Sequence, residues 1–131
     1  MKILWVYLVI FVFTFISHRT GYIQGHKAGQ LQSQTKKHTV TAYCHNECCC
    51  GRWADGFFAN GEPVGGLAIA ATKSIPFGTV LFIPGYGTAT VKDRGGSITG
   101  NRLDVYFPTH QEALDWGVQY LNVKTLKEMS D

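Results

Sequence analysis

The chain has 131 residues, enough for one small domain, and a formal net charge of only +3. Its lysines and arginines are dispersed, and no basic stripe with interleaved aromatics is present, which argues against a nucleic-acid-binding protein. Short β-branched and aromatic runs alternate with the 15 glycines, a composition typical of an all-β domain with many turns. We expect a monomer.

The N-terminal segment is a uniformly apolar run, ILWVYLVIFVFTFI (3–16), behind Lys2. As a helix it would be roughly 21 Å long, shorter than the ~30 Å hydrocarbon core of a bilayer, which favours a secretory signal over a full span. Because no small-x-small cleavage site follows, residues 1–17 are predicted to be a signal peptide or an uncleaved signal-anchor. We therefore expect export to the cell envelope or beyond, with membrane contact through this segment alone.

The rest of the chain divides by composition. Residues 18–37 are polar and aperiodic and are predicted to be a flexible linker. The folded domain is predicted over 38–126, followed by a short tail, 127–131. Glycine and proline turns separate six predicted strands: 38–43, 66–71, 79–84, 87–93, 102–107 and 120–126.

One short helix is predicted between the last two strands. Thr109 and Glu112 have the spacing of a capping box, and Gly117 is a typical helix stop. Six strands, one short helix and tight turns favour a compact closed barrel, since closure removes exposed sheet edges.

Two aspartates stand out among the acidic residues. Asp104 interrupts the apolar strand 102–107, where alternation places Leu103 and Val105 on one face and Asp104 on the other. An aspartate on a solvent face would be unremarkable. Asp93 ends another strand, where aspartate often only caps a turn. The pattern alone leaves both structural and functional interpretations open.

Three blocks then resemble a known family: VKDRGGSITGNRLDVYFPTHQEALDWG (91–117), SIPFGTVLFIPGYGTATVKDRGG (74–96), and VTAYC with GRWADG (51–56). Residues 39–125 resemble the 3D (three-aspartate) domain family. That family includes the C-terminal part of membrane-bound lytic transglycosylase A and wall-lytic proteins related to resuscitation-promoting factors. The resemblance implies a six-stranded double-psi β-barrel that acts on peptidoglycan glycan strands without a cofactor.

The resemblance also implies roles for single residues. Asp104 matches the family's general acid/base, and Asp93 its partner carboxylate. The third family acid is missing, because Ala70-Ala71-Thr72-Lys73 (70–73) stand where it is expected. Around the pair, four residues are expected to bind substrate: Lys92, Arg94, Arg102 and Tyr106.

We expect an enzyme that cleaves peptidoglycan glycan strands, of the lytic transglycosylase or glycoside hydrolase type, although the chemistry of such a pair leaves a second function open. Two neighbouring carboxylates cannot both ionise cheaply, so the pKa of one rises and that group can act as an acid. Hydrolases use two carboxylates in separate roles, whereas a lytic transglycosylase can use one, closing an anhydro ring with the sugar's own 6-hydroxyl. The cations of Lys92, Arg94 and Arg102 would instead lower both pKa values. That would favour the alternative, a non-catalytic glycan-binding barrel.

The cysteines Cys44, Cys48, Cys49 and Cys50 form a dense cluster. In an exported protein we expect a disulfide or other structural role, with Cys44 bonded to one of the other three, and no metal. A zinc site, with His45 as a further ligand, and free thiols remain alternatives, although the spacing matches no standard zinc pattern. A redox or metal module centred on these cysteines is the third functional reading.

Several aromatic residues are candidates for stacking on sugar rings, although most aromatics of a small barrel belong to its core. They are Trp53, Phe57, Phe58, Tyr86 and Tyr106.

Overall fold

The computed structural model describes residues 33–127. The predicted signal segment, most of the predicted linker and all but the first residue of the predicted tail lie outside this range. The described part contains β1 (Thr35–Tyr43), α1 (Glu47–Cys50), a 3₁₀ turn (Gly51–Trp53), β2 (Ala68–Ala70), β3 (Val80–Ile83), β4 (Gly87–Asp93), β5 (Arg102–Tyr106), α2 (His110–Trp116) and β6 (Gln119–Lys127).

The six strands close into a barrel in the order β1-β5-β2-β4-β3-β6. The pairs β1–β5 and β2–β4 are parallel, and the other neighbours are antiparallel. Closure pairs every strand on both sides and leaves no edge. The predicted all-β, six-stranded double-psi barrel is thus confirmed.

The predicted strands all form, and only their ends differ. β1 begins at Thr35 rather than 38, because it pairs antiparallel with β6 as far as Thr35↔Lys124. The last residues of the predicted linker are therefore strand. The sequence could not show this, since these residues are polar on both faces and gain their order from the partner strand.

The sequence predicted one of the two short helices, α2, but not the other, α1. In α2, the Thr109 side chain accepts from the Glu112 backbone and Glu112 reaches back to Thr109, so the predicted capping box is present. Gly117 ends the helix with φ 65°, a conformation that favours glycine. The single-helix prediction missed α1, because four residues are too few to give a helical period.

The core has two parts on opposite faces of β2 and β5. Inside the barrel, Ile69 packs with Leu103 and Val105, all fully buried. On the other face, Ala68 and Ala70 pack in a second cluster, whose aromatic members are Tyr43, Phe58 and Tyr106. The alternation predicted for β5 is therefore real, but its second face is covered rather than open to solvent.

Over residues 33–127, no helix is long and apolar enough to cross a membrane.

Core burial predicts how leucine truncations behave. Leu103→Ala should lower the free energy of unfolding by roughly 2–5 kcal/mol, because Leu103 is 0% exposed inside the barrel. Leu114→Ala is the matched control: Leu114 is 60% exposed on α2, and its loss should change stability by no more than about 0.5 kcal/mol. Equilibrium denaturant unfolding of both variants measures the difference. Equal effects would contradict the assignment of the two faces.

Candidate functional site

Asp93 and Asp104 flank one small residue in the sheet. Ala70 of β2 lies opposite Asp104 of β5 on one side and opposite Asp93 of β4 on the other. Two strand spacings place the Cα atoms of the two aspartates about 10 Å apart. Since Ala70 has only a methyl group, the space between the carboxylates is not filled by a side chain from the sheet.

A β-bulge in β4 brings Asp93 to this face. Ile69 pairs with Val91, but the next residue, Ala70, pairs with Asp93, so the register skips Lys92. Without the skip, alternation from the buried Val91 would turn Asp93 into the barrel interior. The bulge instead turns the Asp93 carboxylate to the face that carries Asp104. Redirecting a side chain in this way is a common effect of β-bulges.

Asp93 is a buried carboxylate surrounded by donors. Its Oδ2 accepts a 2.5 Å hydrogen bond from the Tyr43 hydroxyl, and its Oδ1 accepts from the backbone N–H groups of Ala59 (3.0 Å) and Arg94 (2.8 Å). Burial raises the pKa of Tyr43, and the hydrogen bond to Asp93 adds to the rise, so the phenol stays a neutral donor. Both oxygens of Asp93 are therefore occupied.

Asp104 has a different environment. It is half-buried, and its Oδ1 accepts a 2.8 Å hydrogen bond from Thr41 of β1, its partner in the parallel β1–β5 pair. No hydrogen bond reaches its Oδ2 from the residues that the structure describes. Burial raises the pKa of Asp104; the Thr41 hydrogen bond and the charge of Arg102 oppose the rise, and the charge of Asp93 adds to it. The protonated form of Asp104 is thus favoured relative to that of a fully exposed aspartate.

The two carboxylates face a groove of about 1300 Å³. One wall is the cover loop (residues 54–66), which is held to the bulge by three contacts. The Asn60 N–H donates to the Lys92 carbonyl at 3.0 Å, Ala59 donates to Asp93, and Lys92 forms a 2.6 Å ion pair with Glu62. The bulge therefore positions both a carboxylate and the loop beside it.

The predicted substrate-binding residues separate in space. Arg94 lines the groove and is fastened: its guanidinium donates to the carbonyls of Ala71 (3.1 Å) and Ile75 (2.9 Å) and stacks on Phe77. Lys92 is paired with Glu62, and Arg102 is exposed on β5. Neither of them lines the groove. Tyr106 is buried in the second cluster, so its role as a substrate contact stays a prediction without support from its position.

The position of the missing third acid also lines the groove. Ala70 and Ala71 are buried, while Thr72, Lys73 and Ser74 line the groove with polar side chains. The hydroxyls of Thr72 and Ser74 are hydrogen-bonded to each other at 2.6 Å. No carboxylate replaces the family's acid at this position.

The candidate sugar-stacking aromatics also separate. Trp53 (66% exposed), Phe57 (52% exposed) and the buried Phe58 line the groove. Tyr86 is a core residue whose hydroxyl donates a 2.6 Å hydrogen bond to the Tyr106 carbonyl. Only Trp53 and Phe57 thus combine exposure with a place at the groove.

Sequence reasoning missed Thr41 and Tyr43, the side chains that bind the two aspartates. Both lie on β1 and, by alternation, on the face shared with Asp104. Their spacing in TVTAY was a usable signal, but it required knowing that β1 pairs with β5 in the register Thr41↔Asp104.

The cysteines meet a histidine that was not predicted. The Cys44 Sγ lies 3.5 Å from that of Cys48 and 3.1 Å from that of Cys49, and all four cysteines are free thiols. His110, at the start of α2, brings its Nδ1 within 3.4 Å of both Cys48 and Cys49. His45 instead contacts Phe58 edge-on. The expected disulfide therefore stays a prediction, and the histidine of the group is His110.

The thiols influence one another's ionisation. Burial would raise the pKa of Cys44, but its hydrogen bonds with Cys49, the Asn46 backbone and His110 outweigh that effect and lower the pKa to about 7. Burial raises the pKa of Cys49 to about 12.

Two curated proteins and one solved structure are similar to this chain. YocH of Bacillus subtilis (strain 168), a cell wall-binding protein, is 35% identical over 105 residues, which are 79% of this chain and 37% of YocH. YabE of the same organism, named for cell wall shaping, is 34% identical over 86 residues, 66% of this chain and 21% of YabE. The crystal structure of MltA from E. coli superposes with a TM-score of 0.46 at 27% identity, over 56% of this chain and 28% of that one.

This chain thus spans well under half the length of the two curated relatives. A family model described as the 3D domain matches residues 67–127. The matched segment runs from β2 to β6 and contains both aspartates, the bulge and α2. Over residues 67–127, this chain therefore matches the 3D domain family, as its sequence blocks indicated.

Proposed function

We propose that the barrel cleaves glycan strands of the cell wall, with Asp104 as general acid/base and Asp93 as a supporting carboxylate. The observation that carries this proposal is the contrast between the two acids. Asp104 faces the groove with a raised pKa and a free oxygen, while Asp93 is fixed by three donors. The match to the 3D domain family and the wall-related names of YocH and YabE support the substrate class.

In the proposed reaction, protonated Asp104 donates its proton to the glycosidic oxygen as the C–O bond breaks. The resulting carboxylate then accepts the proton of the sugar's 6-hydroxyl, whose oxygen bonds to the anomeric carbon. Asp104 thereby regains the proton that it gave to the leaving group, and the product ends in an anhydro ring. A hydrolase would need a second carboxylate in a separate role. Because both oxygens of Asp93 are occupied, the site favours the one-carboxylate route of a lytic transglycosylase.

The groove has features suited to a glycan strand. Trp53 and Phe57 offer exposed rings on which pyranose faces can stack, and Thr72 and Ser74 offer hydroxyls in the same groove. The fastened guanidinium of Arg94 adds positive charge between them. These side chains would hold the strand across Asp104.

A second function, glycan binding without cleavage, also has support. YocH is named as cell wall-binding, and the wall that should carry the third family acid has Thr72, Lys73 and Ser74 instead. In that case Asp104 would accept hydrogen bonds from sugar hydroxyls.

Asp104→Asn decides between the two functions. The full-length chain is incubated with purified peptidoglycan sacculi, and soluble products are analysed by mass spectrometry. We expect anhydro-muropeptides from the wild type and a loss of roughly 10²–10⁴-fold in Asp104→Asn, because the amide cannot transfer the proton.

The control is Asp115→Asn, which makes the same change at an exposed aspartate of α2 that accepts a hydrogen bond from Gln111. This variant should keep full activity. If the wild type binds sacculi but releases no soluble product, the cleavage proposal is wrong and the protein binds glycan without cleaving it. Hydrolysed products without anhydro ends would contradict the one-carboxylate route.

The charge of Arg102 predicts a pH effect. Arg102 lowers the pKa of Asp104, so Arg102→Gln should raise that pKa further. Since the acid must be protonated, activity is lost as pH rises through the pKa of Asp104, and the variant's activity should persist to higher pH. Lys124→Gln removes an exposed cation on β6 and should leave the pH profile unchanged. The shift should shrink at high ionic strength; a shift to lower pH would contradict the assignment of Asp104.

Tyr43→Phe tests the anchoring of Asp93. Loss of the phenol leaves a buried carboxylate oxygen without its donor, so the free energy of unfolding should fall by about 1–3 kcal/mol. Tyr120→Phe, at a ring that is 71% exposed on β6, should change it little. Denaturant unfolding compares the two variants, and equal stability would mean that Asp93 is not held by Tyr43.

A further inference from the structure

A second group of reactive side chains lies on the groove's rim, apart from the two carboxylates. We call it the Cys/His cluster; its members are Cys44, Cys48, Cys49 and His110. One ligand atom from each member lies within 4.8 Å of every other. The segments that carry them are the residue after β1, helix α1 and the first residue of α2, so the sequence separates His110 from Cys44 by 66 positions.

The spacing of these atoms fits a tetrahedral metal site. With Zn–S bonds of about 2.3 Å and Zn–N bonds of about 2.0 Å, the edges of the tetrahedron are roughly 3.5–3.8 Å. The Cys44 Sγ lies 3.5 Å from Cys48 and 3.1 Å from Cys49. The His110 Nδ1 lies 3.4–3.7 Å from the three sulfurs. The Cys44–Cys49 separation of 3.1 Å would have to lengthen to about 3.8 Å, the S–S edge of that tetrahedron.

Local hydrogen bonds hold the members of the Cys/His cluster near one another. The backbone N–H groups of Cys49 and Cys50 both donate to the Asn46 carbonyl, which turns the chain so that Cys48 and Cys49 face Cys44. The capping box of α2 fixes the residue before His110. Cys50 is directed elsewhere, with its Sγ donating to the Cys44 carbonyl at 3.4 Å.

We propose that the Cys/His cluster binds one Zn²⁺. Three sulfurs and an imidazole nitrogen are the ligand set of a closed structural zinc site. A disulfide is a weaker account of the same atoms, because one bond would use two sulfurs and leave the third thiol and His110 without a role. Three thiolates at these separations would repel one another, and a divalent cation offsets that charge.

The site would fasten the groove's rim. Cys49 of the Cys/His cluster lines the groove, as do the nearby Cys50 and Trp53. Zinc would tie the α1 segment to the end of β1 and to the start of α2.

The test measures zinc in the full-length chain, expressed without a polyhistidine tag and purified with a reductant but no chelator. We expect about one zinc ion per chain by plasma mass spectrometry. Cys48→Ser and His110→Asn should each lose the metal. The matched controls, Cys50→Ser and His45→Asn, make the same changes at neighbouring residues outside the cluster and should retain it.

A second measurement remains informative if a variant fails to fold. Chelator-treated wild type should melt at a lower temperature and recover its melting temperature with Zn²⁺ but not with Mg²⁺. Cobalt substitution should give thiolate-to-metal charge-transfer absorption. Reduced wild type that neither carries nor takes up zinc, or a loss of zinc in Cys50→Ser as large as in Cys48→Ser, overturns the proposal. Neither readout depends on glycan cleavage.

Discussion

The β-bulge at Lys92 is the constraint on which the groove depends. By removing one residue from the register between β2 and β4, it takes Asp93 off the interior face and sets it beside Ala70. The freed Lys92 carbonyl accepts from Asn60, and the Lys92 side chain pairs with Glu62. One irregularity thereby orients a carboxylate and anchors the cover loop that forms a wall around it.

The two aspartates differ because the sheet supplies them with different neighbours. Asp93 meets a buried phenol and two backbone N–H groups, which engage both of its oxygens. Asp104 meets one hydroxyl, from Thr41, in an environment where burial raises its pKa. Two aspartates on the same face of the sheet therefore differ in hydrogen bonding and in how readily they ionise. This asymmetry is the physical basis for the proposal that Asp104 transfers the proton while Asp93 is a positioning residue.

The cover loop and the segment with the Cys/His cluster are attached to the barrel by different interactions. Backbone hydrogen bonds and an ion pair hold the cover loop to β4. The segment with α1 and the following 3₁₀ turn has no buried residue in either helix. A segment that buries so little apolar surface gains little stability from packing. A bound metal would supply the attachment that packing does not.

The sequence by itself determined the local features: the positions of six strands, the capping box of α2, and the strand in which Asp104 sits between two core residues. These are set by alternation and by side-chain chemistry over a few residues, which the chain carries in its order. The 3D domain blocks further indicated the barrel and both aspartates.

Only the tertiary structure decided which of these features meet. The bulge at Lys92 depends on the partner strand β2, so Asp93 could not be placed on the face of Asp104 from the pattern of β4 alone. Tyr43 and Thr41 become partners of the aspartates through the parallel β1–β5 pair, and His110 reaches the cysteines across the fold. Such contacts arise from strand register and chain closure, and neither is encoded in the spacing of neighbouring residues.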